Sequence, residues 1–188
     1  MRYLVIMGSP RPKSNTNSLA LEFKAQVEEE EGNTCDLLNV YHKEIKNCIH
    51  CDYCQSHEGC CLKDGVSETL AKMSTYDVLI IASPLYFFYF TAPVKAFLER
   101  LYSMQKDNLK LGAIVVSGSE FFDGGSDLAI ETLRRSCSYC GMTWVGAVQK
   151  TSFDEKLPIT DEDIFNIQCL IDNSIQVKNI PYSLFISN

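Results

Sequence analysis

Five of the nine cysteines in this 188-residue chain fall in one short segment, at Cys48, Cys51, Cys54, Cys60 and Cys61. Two successive Cys-x-x-Cys steps let a tight loop aim its thiolates at one centre, and a fourth thiol just beyond completes a ligand set. Cys48, Cys51, Cys54 and Cys60 are therefore candidate ligands of one [4Fe–4S] cluster, with Cys61 the alternative to Cys60. Tetrahedral zinc on the same thiols, or with His50 or His57, is a second reading; a thiol-rich loop without metal is a third. Cys35, Cys137, Cys140 and Cys169 lie in strand or helix patterns and read as small buried apolar residues.

A different chemistry is written near the N-terminus, where the apolar run Tyr3-Ile6 empties into Met7-Gly8-Ser9-Pro10-Arg11-Pro12-Lys13-Ser14-Asn15-Thr16-Asn17 and then a helical pattern. Unpaired amides and the positive end of a helix dipole converge at such a junction and favour an anion. Ser9, Ser14, Asn15 and Thr16 can donate to phosphate oxygens, and Arg11 can add a charge-assisted bond. The bland alternative is a capped helix start with a Ser-Pro turn. The loop has neither the glycine–lysine pattern of a nucleoside triphosphatase nor the three-glycine pattern of a dinucleotide site.

Two more loops complete the picture. Ser83 to Pro93 carries five aromatics, Tyr86 to Phe90, which can wall a planar ring or serve as core. Ser117 to Ser126 carries three glycines, at 118, 124 and 125, that permit close backbone approach to a ligand. A phosphate pocket, an aromatic wall and a glycine-rich lip on one edge describe a flavin mononucleotide site.

The elements needed to bring these loops together are legible. Runs apolar on both faces recur at Tyr3-Ile6, Cys35-Val40, Val78-Ala82, Ala113-Val116 and Thr143-Val148, as expected of a buried parallel sheet. Helical stripes separate them: Leu19, Phe23, Val27; a short one at Leu70 and Met73; Val94, Phe97, Leu98, Leu101; and Ala129, Leu133, Cys137, Cys140, with Gly141 as C-cap. A last stripe, Ile164, Ile167, Ile171, Ile175, opens at Thr160 with acids in its first turn. Alternating strands and helices predict a three-layer α/β domain, which binds ligands beyond the carboxyl ends of its strands. All three loops lie there.

The length predicts one domain over 1–188, with a cysteine-rich insertion at about 45–65 and an apolar tail at about 180–188. A net charge of −7 without a basic cluster excludes a nucleic-acid surface, and Glu28 to Glu31 read as a solvated helix end. No apolar run is long enough to span a membrane and no signal peptide is apparent, so a cytoplasmic location is expected.

With these residues in view, the chain resembles the NADPH-dependent FMN reductase and iron-sulfur flavoprotein group of the flavodoxin-like superfamily. The match rests on Gly8-Ser9-Pro10-Arg11 with Ser14-Asn15-Thr16, the Cys-x-x-Cys-x-x-Cys segment from Cys48, Asp77 through Ser83-Pro84-Leu85-Tyr86, and Lys95-Ala96-Phe97-Leu98-Glu99-Arg100. It covers about the first three quarters of the chain; Gly124, Gly125 and Gly141-Met142 fit more loosely, and the tail after Tyr182 does not match. The resemblance implies a flavodoxin-like sandwich with a five-stranded parallel sheet of order 2-1-3-4-5, non-covalent FMN, and a homodimer or higher homo-oligomer. It assigns the phosphate to Ser9, Arg11, Ser14, Asn15 and Thr16. The isoalloxazine falls to Pro84, Leu85, Tyr86 and Phe87, with Ser117, Gly118 and Gly124 nearby. NAD(P)H would supply hydride at the open ring face, with no catalytic side chain named. The expected activity is an FMN-dependent NAD(P)H oxidoreductase passing electrons to a quinone, flavin or other small acceptor. The alternatives are an electron-transfer protein that relays electrons between redox partners through FMN and a [4Fe–4S] cluster, and a thiol-based redox sensor without flavin.

Overall fold

The computed structural model describes residues 1–103, 109–118, 125–152 and 156–177. Its centre is a parallel sheet of β1 (Arg2–Met7), β2 (Thr34–Asn39), β3 (Val78–Tyr86), β5 (Lys110–Ser117) and β6 (Thr143–Thr151), in the order β2-β1-β3-β5-β6. The two-residue strand β4 (Tyr89–Phe90) pairs antiparallel with the end of β3 and stands off this path. Leaving it out, the order is the expected 2-1-3-4-5.

The strands are apolar throughout because both faces are covered. Along β1, Leu4 and Ile6 enter one core, while Tyr3, Val5 and Met7 enter the other. In β3 the same alternation sends Leu79 and Ile81 one way, and Val78, Ile80 and Ala82 the other. On the second face lie α1 (Asn15–Glu29), which buries Leu19, Phe23 and Val27, and α6 (Asp161–Gln176). The first face receives α4 (Ala92–Arg100) and α5 (Ser126–Tyr139). Two short helices, α2 (Tyr53–Ser56) and α3 (Ser67–Ala71), occupy the cysteine-rich connection between β2 and β3.

Several elements depart from the sequence pattern for physical reasons. The fourth parallel strand, β5, starts at Lys110 rather than Ala113. Lys110 is buried, and its ammonium donates to the Ser174 carbonyl near the end of α6, so a charged residue occupies an inward strand position by capping a helix. In α6 the buried stripe is Ile167, Leu170, Ile171 and Ser174, whereas Ile164 and Ile175 are exposed. Its N-terminus is as expected: Thr160 and Asp163 form a reciprocal capping box. Cys35 and Cys137 are buried as expected; Cys140, the residue after the last turn of α5, and Cys169 in α6 are only half-buried.

Gly8 is the joint where β1 leaves the sheet. A β-carbon there would sit 2.3 Å from Val94 Cγ2 and 2.9 Å from the hydroxyl oxygens of Ser83 and Thr91. Its amide donates to the Ala82 carbonyl at 2.8 Å and its carbonyl accepts from Thr91 Oγ1 at 2.9 Å. Gly8→Ala is therefore expected to force apart β1, β3 and the start of α4, lowering stability by about 1–3 kcal/mol. Urea unfolding would measure the loss; an unchanged midpoint would show that the joint yields.

Candidate functional site

The first loop is shaped by its own side chains. Ser14 caps α1 by accepting from the Asn17 amide at 3.1 Å, and Asn17 Nδ2 donates to the Arg11 and Pro12 carbonyls. Asn39, at the end of β2, donates to the Ser9 carbonyl at 3.1 Å and ties the loop to the sheet. Ser9 is buried, and its hydroxyl accepts from the Arg11 amide, so it stiffens the turn from within.

A cavity of about 150 Å³ opens beside this helix start. Arg11, Ser14, Asn15 and Thr16 form one wall, and Pro84, Leu85 and Tyr86 at the end of β3 form another. Val116, Ser117 and Gly118 at the end of β5, with Ser152 just after β6, close it. The cavity thus lies beyond the carboxyl ends of three parallel strands, where α/β sheets bind ligands. Thr16 is 1% exposed, and its hydroxyl oxygen has no hydrogen-bond partner among the described residues. A buried hydroxyl left unpaired at a helix N-terminus fits an anionic ligand that accepts from it.

Other donors in the same wall are engaged. Asn15 Nδ2 donates to Ser152 Oγ at 2.6 Å, and Asn15 Oδ1 accepts from the Leu157 amide at 2.9 Å, lashing the helix start to the segment after β6. Ser152 in turn donates its amide to the Ser117 carbonyl at 2.8 Å. Val116 and Ser152 belong to the site although neither stands out in the sequence; Ser152 follows the last strand, a position that strand counting alone could have marked.

The aromatic segment is a hairpin. β3 continues through Ser83-Pro84-Leu85 to Tyr86, Phe87 and Phe88 make the turn, and Tyr86 pairs with Tyr89. Both turn residues have positive φ, 53° and 65°, the geometry that Asn-Gly ordinarily supplies. Holding two phenylalanines there stores backbone strain. Of the five aromatics, Tyr86 borders the cavity, Phe90 is in the core, and Phe87 is 97% exposed and takes no part in the described wall. Gly125, with φ of 75°, leaves room for the Phe88 ring, which a β-carbon would meet at 2.7 Å. Gly118 does border the cavity, while Gly124 lies outside the described residues.

The cysteine segment builds a separate place. All five of its thiol residues border one cavity of about 320 Å³, together with Glu99 and Arg100 at the end of α4, and Tyr102 and Tyr139. Glu99 Oε2 accepts from the Cys48 amide at 3.2 Å. Among the described residues no three His, Cys, Asp or Glu side chains are gathered as a ready metal-binding group; the thiols share a cavity wall without converging. Cys51 and Cys61 are in contact, sulfur to sulfur, at 3.3 Å. The Tyr53 amide and the Cys61 thiol draw the Cys51 pKa below the usual thiol range, and the same contact pushes Cys61 up. A set of five thiols around one cavity suits iron or zinc chemically.

The neck of this segment is held by one buried arginine. Arg100 pairs with Asp64, and its guanidinium donates to the carbonyls of Lys46 and Leu62, so it grips the chain on both sides of the cysteines. Asp64 is desolvated, which raises its pKa, but the Lys46 and Val66 amides and the Arg100 charge outweigh burial and hold the carboxyl below the usual range. Helix α4 has its first turn beside Gly8, at the first cavity's loops, and its last turn at the cysteines. Its nine residues separate the two places by roughly 13 Å.

Comparison with known proteins shows the family and the fold. The family model described as NADPH-dependent FMN reductase matches residues 1–153. An iron-sulfur flavoprotein of Methanocaldococcus jannaschii is 32% identical over 150 residues, covering 78% of this chain and 76% of that protein. Among solved structures, an apo NADH:FMN oxidoreductase superposes with a TM-score of 0.68 at 18% identity, covering 96% of this chain and 91% of the other. An FMN-dependent NADH-azoreductase from Bacillus anthracis gives 0.64 at 15% identity, covering 93% and 99%. These two likenesses speak for the flavodoxin-like fold alone.

Proposed function

The chain belongs to the NADPH-dependent FMN reductase family, and from that premise we propose that it is an FMN-dependent NAD(P)H oxidoreductase delivering electrons to a quinone, free flavin or other small acceptor. The observation that carries the reading is the unpaired, buried Thr16 hydroxyl at the start of α1, in a cavity whose facing wall is Pro84, Leu85 and Tyr86. Bound FMN would supply hydride-accepting chemistry there. The residues hold and orient it: Arg11, Ser14 and Thr16 serve the phosphate with the amides of the first helical turn, and Asn15 keeps that turn in place. Pro84, Leu85 and Tyr86 lie along the ring, with Ser117 and Gly118 at its other side.

Phe87 and Phe88, exposed at the tip of the hairpin, support the proposal that a second copy of the chain closes over the flavin. No helix among the described residues is long and apolar enough to cross a membrane.

The test is anaerobic titration of FMN-loaded protein with NADPH and with NADH, followed by addition of a quinone. Bleaching of the bound flavin and its recovery on adding quinone, with steady turnover, are expected. Protein that does not bind FMN, or whose bound flavin neither nucleotide bleaches, would refute the proposal. A second reading, an electron carrier with FMN and a [4Fe–4S] cluster on Cys48, Cys51, Cys54 and Cys60 or Cys61, is supported by the five thiols around one cavity. Stoichiometric iron and sulfide in anaerobically purified protein, with negligible turnover, would favour it.

A further inference from the structure

The sulfurs of Cys51 and Cys61 touch at 3.3 Å, as two free thiols can. A disulfide needs about 2.0 Å, so linking the pair from 3.3 Å requires the sulfurs to close by about 1.3 Å. We propose that Cys51 and Cys61 form a reversible intrachain disulfide by exchange with small-molecule disulfides, and that this linked form shuts metal out of the cysteine cavity.

The surroundings leave this pair open to exchange. Cys51 is exposed and Cys61 is half-buried on an open cavity wall, so a small disulfide can reach them, whereas Cys35 and Cys137 are enclosed in the core. Cys60 is Cys61's neighbour in sequence, yet it also borders a second cavity, lined by Ser67 and Leu70, where Cys61 does not reach. Arg100 grips Lys46 and Leu62 on either side of the segment, so the limbs carrying the two thiols are already held together in the reduced chain. Little chain entropy remains to be lost on linking them.

The exchange balances without a further reactant. The Cys51 thiolate attacks one sulfur of a disulfide RSSR; the Cys51–S–SR bond forms, the RS–SR bond breaks, and RS⁻ leaves and takes up a proton. Cys61, giving up its proton to solvent, then attacks Cys51 Sγ in the mixed disulfide and displaces the second RS⁻. Two cysteine thiols are oxidised, one RSSR is reduced to two RSH, and excess RSH reverses both steps. In a reducing compartment such a link is transient and reports on redox state.

The disulfide needs neither FMN nor a metal; only the exclusion of metal rests on the cysteine cavity's reading as a metal site. Full-length protein is equilibrated in glutathione buffers from reducing to oxidising, quenched with acid and a maleimide, and mapped by peptide mass. The expected result is a loss of two of the nine alkylatable thiols, with a cross-linked peptide joining Cys51 to Cys61. Cys61→Ser should abolish that peptide and Cys60→Ser should leave it. No cross-link at the oxidising end, or one joining Cys51 to any other cysteine, would overturn the proposal from the unmutated protein alone.

Anaerobic titration of the two forms with ferrous iron, in buffer free of thiols and of sulfide, which would itself reduce the disulfide, tests the second half. The oxidised form should take up several-fold less iron than the reduced form, and equal uptake would overturn exclusion. Failure of both forms to take up iron would overturn exclusion as well, together with the cavity's reading as an iron site, and would leave the mapped disulfide standing. FMN affinity should be the same in both forms, because the flavin cavity lies at the far end of α4.

Discussion

Replacing Asp64 with asparagine is expected to destabilise the protein by about 3–5 kcal/mol, the range seen when one partner of a buried ion pair is removed. Both side chains of the Asp64–Arg100 pair are 1% exposed, so water cannot take over from the lost carboxylate. The asparagine keeps the shape, but its single oxygen replaces only one of the two carboxylate oxygens, of which Oδ2 accepts from the Lys46 amide at 2.9 Å and Oδ1 from the Val66 amide at 3.1 Å, so one amide is left facing an NH2. What disappears is the negative charge facing a guanidinium whose Nε already lacks a partner among the described residues. The loss falls on the neck of the cysteine segment, because Arg100 is what joins Lys46 to Leu62. Asp64→Asn should therefore lower the urea midpoint and open the chain between residues 46 and 64 to limited proteolysis, while FMN affinity at the other end of α4 changes less than about twofold. A double variant, Asp64→Leu with Arg100→Met, should not restore the parent's stability, because the Lys46 and Leu62 carbonyls and the Lys46 and Val66 amides lose their partners along with the pair. A single variant as stable and protease-resistant as the parent would show that the pair is not an anchor.

The same pair fixes the sign of a pH effect. Because the Asp64 carboxyl is held below its usual range in the folded chain, its contribution is fully present above the ordinary carboxylate pKa of about 4 and is lost as pH falls through the lower folded value. The parent should thus lose its advantage over Asp64→Asn on acidification below about pH 4, where the two urea midpoints converge.

How far the sequence discloses this architecture depends on whether a feature is local. The five parallel strands are legible because strands buried on both faces must be apolar throughout, as Tyr3-Ile6 and Val78-Ala82 are, whereas their order follows only from the family resemblance. The helix start at Thr160 is legible because caps are short-range hydrogen bonds, while Ser14, read from the sequence as a phosphate donor, caps α1 as well. Lys110 shows the limit: nothing local tells that an ammonium will reach a carbonyl 64 residues away, so the apolar pattern places the strand start three residues late. The hairpin is hidden for a different reason. Tyr86-Phe87-Phe88-Tyr89 has strand-like residues where a tight turn demands positive φ, and propensity reads such a run as continuous wall. The first cavity's lining is largely visible because three of its walls are strand ends; Asn15 is visible as a site residue, but its task of holding Ser152 and Leu157 is not. In the cysteine segment, spacing reveals that the thiols act together, yet the choice of Cys61 as the neighbour of Cys51 depends on Arg100 closing the loop from a helix far along the chain.

The sharpest test of the flavin assignment is Thr16→Val. Asn15 is a poor position to probe, because removing its carboxamide also cuts the ties to Ser152 and Leu157 and would weaken any ligand by loosening the wall. Thr16 separates the two effects. Its hydroxyl is buried and makes no hydrogen bond within the described residues, so valine of the same shape removes a desolvated polar atom and no internal contact. Stability of the protein without FMN should be unchanged or higher. Affinity for FMN should move in the opposite direction. A hydrogen bond from this hydroxyl to a phosphate oxygen is charge-assisted, and losing about 1.5–3 kcal/mol corresponds to a dissociation constant about 10- to 100-fold higher. Thr16→Ser should restore most of it, since serine can present the same oxygen from the same helical turn. Riboflavin, which lacks the phosphate, should bind the valine variant and the parent alike. Fluorescence titration with both flavins measures all of this. If FMN binds the valine variant as tightly as the parent, the start of α1 does not hold the phosphate; if riboflavin loses as much as FMN, the hydroxyl serves the ring and not the phosphate.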